Sequence, residues 1–327
     1  MRPYSLYIVT TALSAIGLYV LVIVALYQVE SKFHLPVFNH ISLDRKLHFL
    51  KDHEELDTAD TVIIGSSMGL NNINGVMLEN TSKYVHGVIN LSAWSIKCPQ
   101  ILPLLTKVVK DGKVKRIIYA AQYFDFTQEF NIDGASADTV FGYLNEDPLD
   151  KLLFIISASR NLLSMIENYL RWESFTNPET YEYLIFDRTG GNQLDINKEN
   201  ANPHRWSKVD DFTIEPFGKA NLTCLKDMAD LSETHHFDLI FVVQPFREAV
   251  VASNPQLKEI MFEFDKQTKA ILNNENSYHI NAHEILNFDD SNFADKSHLN
   301  IKGANAKTKK LAKMIDRISS NPRKPKL

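Results

Sequence analysis

Cysteine is almost absent from this sequence: Cys98 and Cys224 are the only two among 327 residues. That excludes a four-cysteine zinc site and a disulfide framework, and leaves one bridge at most, in an oxidising compartment. An excess of positive charge is missing too. Lys and Arg number 35 against 40 Asp and Glu, a formal net charge of −5, which excludes the concentrated basic field of a nucleic-acid protein. There is no Gly-Lys-Ser/Thr phosphate loop and no Rossmann glycine pattern, so no nucleotide is expected, nor any other cofactor. No segment repeats with a period of 20–50 residues. With 44% apolar and 23% charged residues, the composition is that of a globular chain, long enough for one large domain or two small ones.

Long hydrophobic runs are also scarce, but one stands out. Leu6–Tyr27 holds no charged residue and, at about 33 Å as a helix, is long enough to cross a bilayer core. Arg2 precedes it, whereas Glu30, Ser31 and Lys32 follow it, a bias that puts the N-terminus in the cytoplasm. Tyr4, Tyr7 and Tyr27 fall where an aromatic belt would lie. A cleavable signal peptide and a buried core helix are the alternatives. The run exceeds a usual signal core, and no convincing Ala-x-Ala site follows. The expectation is an uncleaved signal anchor over residues 1–30, with lipid as its partner. Everything after residue 31 would then lie outside the cytoplasm, in a single-pass protein.

Beyond a polar juxtamembrane stretch (31–59), strands and helices alternate. Thr61–Gly65, Val88–Leu91, Val114–Ala121 and Phe237–Val243 are short apolar runs of the buried-strand type, with a weaker one at Tyr278–Ala282. Helical patterns cover Gln100–Lys110, Gln256–Asn273 and Gly303–Ile318, the last with Leu311, Met314, Ile315 and Ile318 on one stripe. This alternation predicts an α/β domain over 60–318 with a parallel sheet. Residues 125–215 break the rhythm and read as an insertion, with a helical segment at Pro148–Trp172 and a turn-rich remainder. The basic tail, 319–327, is expected to be disordered.

Chemistry concentrates at two places. Ser66 and Ser67 follow the first strand at the entrance of a helix, at the carboxyl edge where open α/β sheets place their sites. Helix N–H groups there can stabilise an oxyanion, and a neighbouring base would activate a hydroxyl. The plainer reading is that these serines cap the helix. Near the other end, Asp295 stands three residues ahead of His298 in a loop. A carboxylate so placed fixes the imidazole tautomer and leaves the second ring nitrogen facing a serine. Here the plainer reading is a capping aspartate beside a solvated histidine.

Gly65-Ser66-Ser67 and Asp295-Lys296-Ser297-His298, in that order, resemble the first and last motif blocks of the SGNH (GDSL-like) hydrolase superfamily. With one N-terminal span and a long insertion, the chain looks most similar to its membrane-anchored, envelope-facing branch. The resemblance implies a three-layer α/β/α domain with a flavodoxin-like parallel sheet. It makes Ser67 the nucleophile, His298 the base and Asp295 its orienting partner. Two middle blocks depart from the pattern. The second, Asn90-Leu91-Ser92-Ala93-Trp94-Ser95, lacks glycine, so a backbone N–H from Ala93 to Ser95 would have to complete the oxyanion hole. The third has Gln122 where asparagine is usual.

What the resemblance implies is acyl transfer on an envelope or exported polysaccharide, by an O-acyltransferase or an esterase. A membrane-bound O-acyltransferase would be a fitting partner, and Arg247, at the sheet's carboxyl edge, could hold an anionic substrate group. The competing expectation is a catalytically degenerate member that binds glycan or assembles a modification complex. His279 and His283, four apart on a strand-like segment, do not read as a zinc pair.

Overall fold

A computed structural model describes residues 3–33, 40–53, 58–110, 112–127, 144, 148–159, 162–207, 217–286 and 288–320. Of the tail expected to be disordered, 319–327, Ser319 and Ser320 are instead helical and the rest lies outside the described residues, as does part of the insertion. The chain divides into two compact units, one formed by 1–48 and 132–172 and the other by 49–131 and 173–327.

The first unit contains helix α1 (Pro3–Phe33), most of α2 (Ile41–Asp52), α6 (Pro148–Ser159) and α7 (Leu162–Arg171). Of the helical segment expected over Pro148–Trp172, Pro148–Ser159 and Leu162–Arg171 are helical, and 160 and 161 lie outside the described residues. Within α1, Tyr4–Gln28 is apolar and long enough to cross a membrane, and almost all of it is exposed. A soluble core helix of this composition would be covered by protein.

The second unit is built on five strands: β1 (Thr61–Gly65), β2 (Val88–Asn90), β3 (Arg116–Ala121), β4 (Asp238–Val243) and β5 (Ser277–Asn281). All pair in parallel, in the order β2-β1-β3-β4-β5. Every residue of β1, β2, β3 and β4 is buried, which is why these strands read as continuous apolar runs rather than alternating ones. β3 starts at Arg116, later than the apolar pattern suggests; the buried Arg116 side chain hydrogen-bonds Thr61 and lies 3.7 Å from Asp60.

Helices α3 (Ser67–Asn72), α4 (Gly75–Thr81), α5 (Cys98–Val108), α8 (Pro203–Ser207), α9 (Lys219–His235), α10 (Glu248–Ser253), α11 (Pro255–Ile271), α12 (Ala282–Ile285) and α13 (Ile301–Ser320) complete the unit. Side chains alternate across the sheet. Ile63, Ile118, Ile240 and Ile280 pack with Leu78 of α4 and with Leu311 and Ile315 of α13, on the stripe read from the sequence. Tyr119 and Phe241 meet Phe126 and, on α11, Phe264 in edge-on and stacked ring contacts. Local signals explain the helix ends. Asn254 caps α11 through Leu257 N–H, with Pro255 in the first turn, and left-handed His236 (φ 59°) stops α9.

Cys98, the first residue of α5, is disulfide-bonded to Cys224 of α9, with Cα atoms 5.9 Å apart. It closes a loop of 126 residues.

Candidate active site

The site begins at Gly65. Its φ of 145° is closed to other residues, and a Cβ there would lie 2.2 Å from the Ala120 carbonyl oxygen of β3. Glycine thus lets β1 turn sharply into α3 beside its neighbour strand. The two serines that follow divide the roles weighed for them. Ser66, buried, caps α3 by accepting the Met68 N–H at 3.3 Å, and its hydroxyl also bonds the Asp125 carboxylate. Ser67, half-buried, turns its hydroxyl to His298: Oγ and Nε2 are 2.9 Å apart.

On its far side, His298 Nδ1 lies 2.8 Å from Asp295 Oδ2. The other oxygen, Oδ1, accepts the N–H groups of Ser297 (2.7 Å) and His298 (2.6 Å). Burial pushes this carboxyl up, but the His298 charge and these hydrogen bonds outweigh it and hold Asp295 below the usual carboxylate range. An ionised Asp295 can only accept, so Nδ1 carries the proton. Nε2 is then the acceptor of the Ser67 hydroxyl, the arrangement of a nucleophile with its general base.

β5 is three places from β1 in the sheet, so the histidine loop must be carried back to the serine. Buried polar groups hold it there. Asn72, at the end of α3, accepts the Leu299 N–H at 2.9 Å and donates to the Ser297 carbonyl at 3.4 Å. Gln244, just after β4, lies 3.5 Å from the Asn72 amide and also accepts from Lys307 of α13. Burial pushes the Lys307 amine well below its ordinary value. Gly303 permits close approach of α13, since a Cβ would meet the Asn292 carbonyl at 2.2 Å.

Part of the insertion belongs to the site. Asn192 N–H donates to the Leu70 carbonyl, and Ile301 N–H to Leu194. Tyr181 hydrogen-bonds the Ala294 carbonyl, and its ring centre lies 6.4 Å from that of His298, edge-on. The Arg205 guanidinium lies over the Tyr181 ring, 4.4 Å from its centroid. Sequence reasoning missed Tyr181, Arg205, Asn72 and Lys307. Neither a motif nor a hydrophobic period marks them.

The remaining expected residues are placed as follows. Ala93 N–H donates to the Gly65 carbonyl at 3.3 Å, and the buried Gln122 amide donates to Pro245 (3.3 Å) and Ser297 (3.5 Å). Both groups are therefore engaged in holding the site together. Ser95 is exposed, in a left-handed conformation (φ 53°), and no acceptor for its N–H is seen among the described residues. Arg247 is buried, with its guanidinium 4.0 Å from the Trp206 ring centre and Nε 3.4 Å from Asp290. Its N–H bonds the Lys296 carbonyl. His279 faces Thr268 and Asp265, and His283 faces Glu248; no cluster suited to a metal ion is found among the described residues. No family model and no curated protein matches the chain.

Proposed function

We infer that this is a serine-dependent acyl-transfer enzyme of SGNH-like type, anchored in a membrane and acting on an envelope glycan or polymer outside the cytoplasm. The observation that carries the chemistry is the continuous relay from Ser67 Oγ through His298 to Asp295, at 2.9 and 2.8 Å. The parallel order β2-β1-β3-β4-β5, with helical residues packed against both faces, supports the three-layer flavodoxin-like reading. The Cys98–Cys224 bridge and the apolar α1 support an oxidising, extracytoplasmic location for the site.

In this mechanism Ser67 Oγ attacks the acyl carbonyl carbon and its proton passes to His298 Nε2. The tetrahedral adduct collapses; the leaving oxygen takes that proton and the acyl group stays on Ser67. A second hydroxyl, from water or a glycan, then gives its proton to His298 and takes the acyl group, restoring Ser67. The N–H groups of Ser67 and Ser95 are the proposed oxyanion donors, because those of Ala93 and Gln122 are already engaged. An anionic substrate group at Arg247 would have to compete with Asp290.

That engagement also favours the rival reading, a binding protein that has kept the triad but lost part of the hole. An acyl-enzyme experiment separates them. With p-nitrophenyl acetate, the enzyme reading expects a burst of nitrophenol and an acetyl group on the peptide containing Ser67. Folded protein that gives neither supports the binding role.

A further inference from the structure

A general base works only while its ring keeps one orientation. His298 must present Nδ1 to Asp295 at 2.8 Å and Nε2 to Ser67 at 2.9 Å together, and rotation about its side-chain bonds breaks both contacts. The loop that carries it is a closed hairpin. Ala294 N–H donates to the His298 carbonyl at 2.8 Å, and Phe293 bridges to Leu299. Whatever fixes Ala294 therefore also fixes the His298 backbone. Asn72 grips the same loop at Ser297 and Leu299, but its contacts there are to main-chain groups and not to the imidazole.

A second grip comes from residues 181–206, inside the stretch read as an insertion. The Tyr181 hydroxyl donates to the Ala294 carbonyl. Its half-buried ring stands edge-on to the imidazole, with centres 6.4 Å apart. One side chain thus touches both the backbone of the hairpin and its working ring. Tyr181 is itself braced. The guanidinium of the exposed Arg205 lies over its ring at 4.4 Å. Tyr181 and Trp206 pack on the cluster of Leu194, Ile196, Ala201 and Ala294. Trp206 also packs on Phe293, Leu299 and Ala304, so residues at both ends of the hairpin meet the same indole. The Ile301 N–H, 2.8 Å from the Leu194 carbonyl, ties the start of α13 to this arm.

The geometry points to Tyr181 as a positioning residue of the catalytic pair: its ring holds the His298 imidazole in the orientation that suits Ser67 and Asp295, and Arg205 steadies that ring. The proposal rests on the acyl-transfer reading of Ser67 and His298. It gives the returning arm of the insertion a task in the chemistry, the lateral support of a base whose loop follows a strand three places from the nucleophile's.

The test uses the full, folded chain and two readouts: the rate of Ser67 labelling by a fluorophosphonate, and the downfield proton resonance of the His298 Nδ1–H bonded to Asp295. Tyr181→Leu, which removes ring and hydroxyl, should slow labelling by about 10²-fold and broaden the resonance beyond detection. Tyr181→Phe keeps the ring; it should retain the resonance and slow labelling by no more than about tenfold, the scale of one neutral hydrogen bond. A variant that is merely less stable keeps both readouts for as long as it stays folded. Wild-type labelling with an intact resonance in Tyr181→Leu overturns the proposal. Equal losses in the two variants also overturn it, because the effect then belongs to the hydroxyl. Should Tyr181→Leu not fold, Arg205→Ala, at an exposed position, decides: labelling slowed by about two- to fivefold supports the proposal and an unchanged rate overturns it. A wild-type chain that shows the resonance yet takes no adduct sinks the acyl-transfer reading, and the resonance in the variants then still tests the placing of His298.

Discussion

The Ser67 hydroxyl and His298 Nε2, separated by 231 residues of chain, lie 2.9 Å apart. Neither side chain could reach the other from its own strand. The contact exists because Gly65 turns β1 sharply into α3, and because Asn72, at the far end of that short helix, grips the returning loop at Ser297 and Leu299.

Ser66 and Ser67 are expected to separate cleanly. Ser66→Ala removes a helix cap and lowers stability by about 0.5–2 kcal/mol, while labelling by a fluorophosphonate persists. Ser67→Ala leaves the denaturation midpoint nearly unchanged and abolishes labelling. Chemical denaturation and mass spectrometry of the two variants check this.

Asp295→Asn keeps the shape of the loop but lets the imidazole hold the wrong tautomer. The rate of fluorophosphonate labelling should drop by roughly 10³–10⁴-fold. Stopped-time labelling of purified protein measures it, with circular dichroism to show that the fold is kept.

Asn72→Ala strands the buried Leu299 N–H, at a cost of about 1–3 kcal/mol. Because the same side chain positions the histidine loop, reactivity of Ser67 should fall as well, unlike in a variant that loses stability alone. Gly303, which a Cβ would drive against Asn292, is a useful comparison.

How much of this was legible in the sequence follows from the range of each interaction. The strands are legible because complete burial leaves continuous apolar runs, and Ser67, His298 and Asp295 could be singled out because each half of the contact is a short local motif. Asn72, Gln244 and Lys307 were not legible: each is a polar residue whose partners lie far away in the chain, so nothing local distinguishes them from surface positions. Ala93 and Gln122 were proposed for the oxyanion hole on position alone, and only coordinates reveal that Gly65, Pro245 and Ser297 already use them.

Lys307 gives a pH signature. Burial holds its amine well below the ordinary value, so folding releases a proton over the range between that lowered value and about 10.4. The unfolded chain binds more protons there, and stability rises with pH by up to about 1.4 kcal/mol per unit from this group. Lys307→Met should remove that part of the slope. Urea denaturation across the alkaline range, for both proteins, provides the comparison.

Reduction of Cys98–Cys224 releases a loop of 126 residues. The double variant Cys98→Ser/Cys224→Ser should lose about 2–5 kcal/mol, read from its denaturation midpoint against the oxidised protein.

The most direct measurement is the site of covalent modification by a fluorophosphonate on the full, folded chain. The relay predicts one adduct, on Ser67, that disappears when His298 is replaced by alanine. A folded protein that takes no adduct, or takes it equally well without His298, would contradict the claim that this histidine activates this serine.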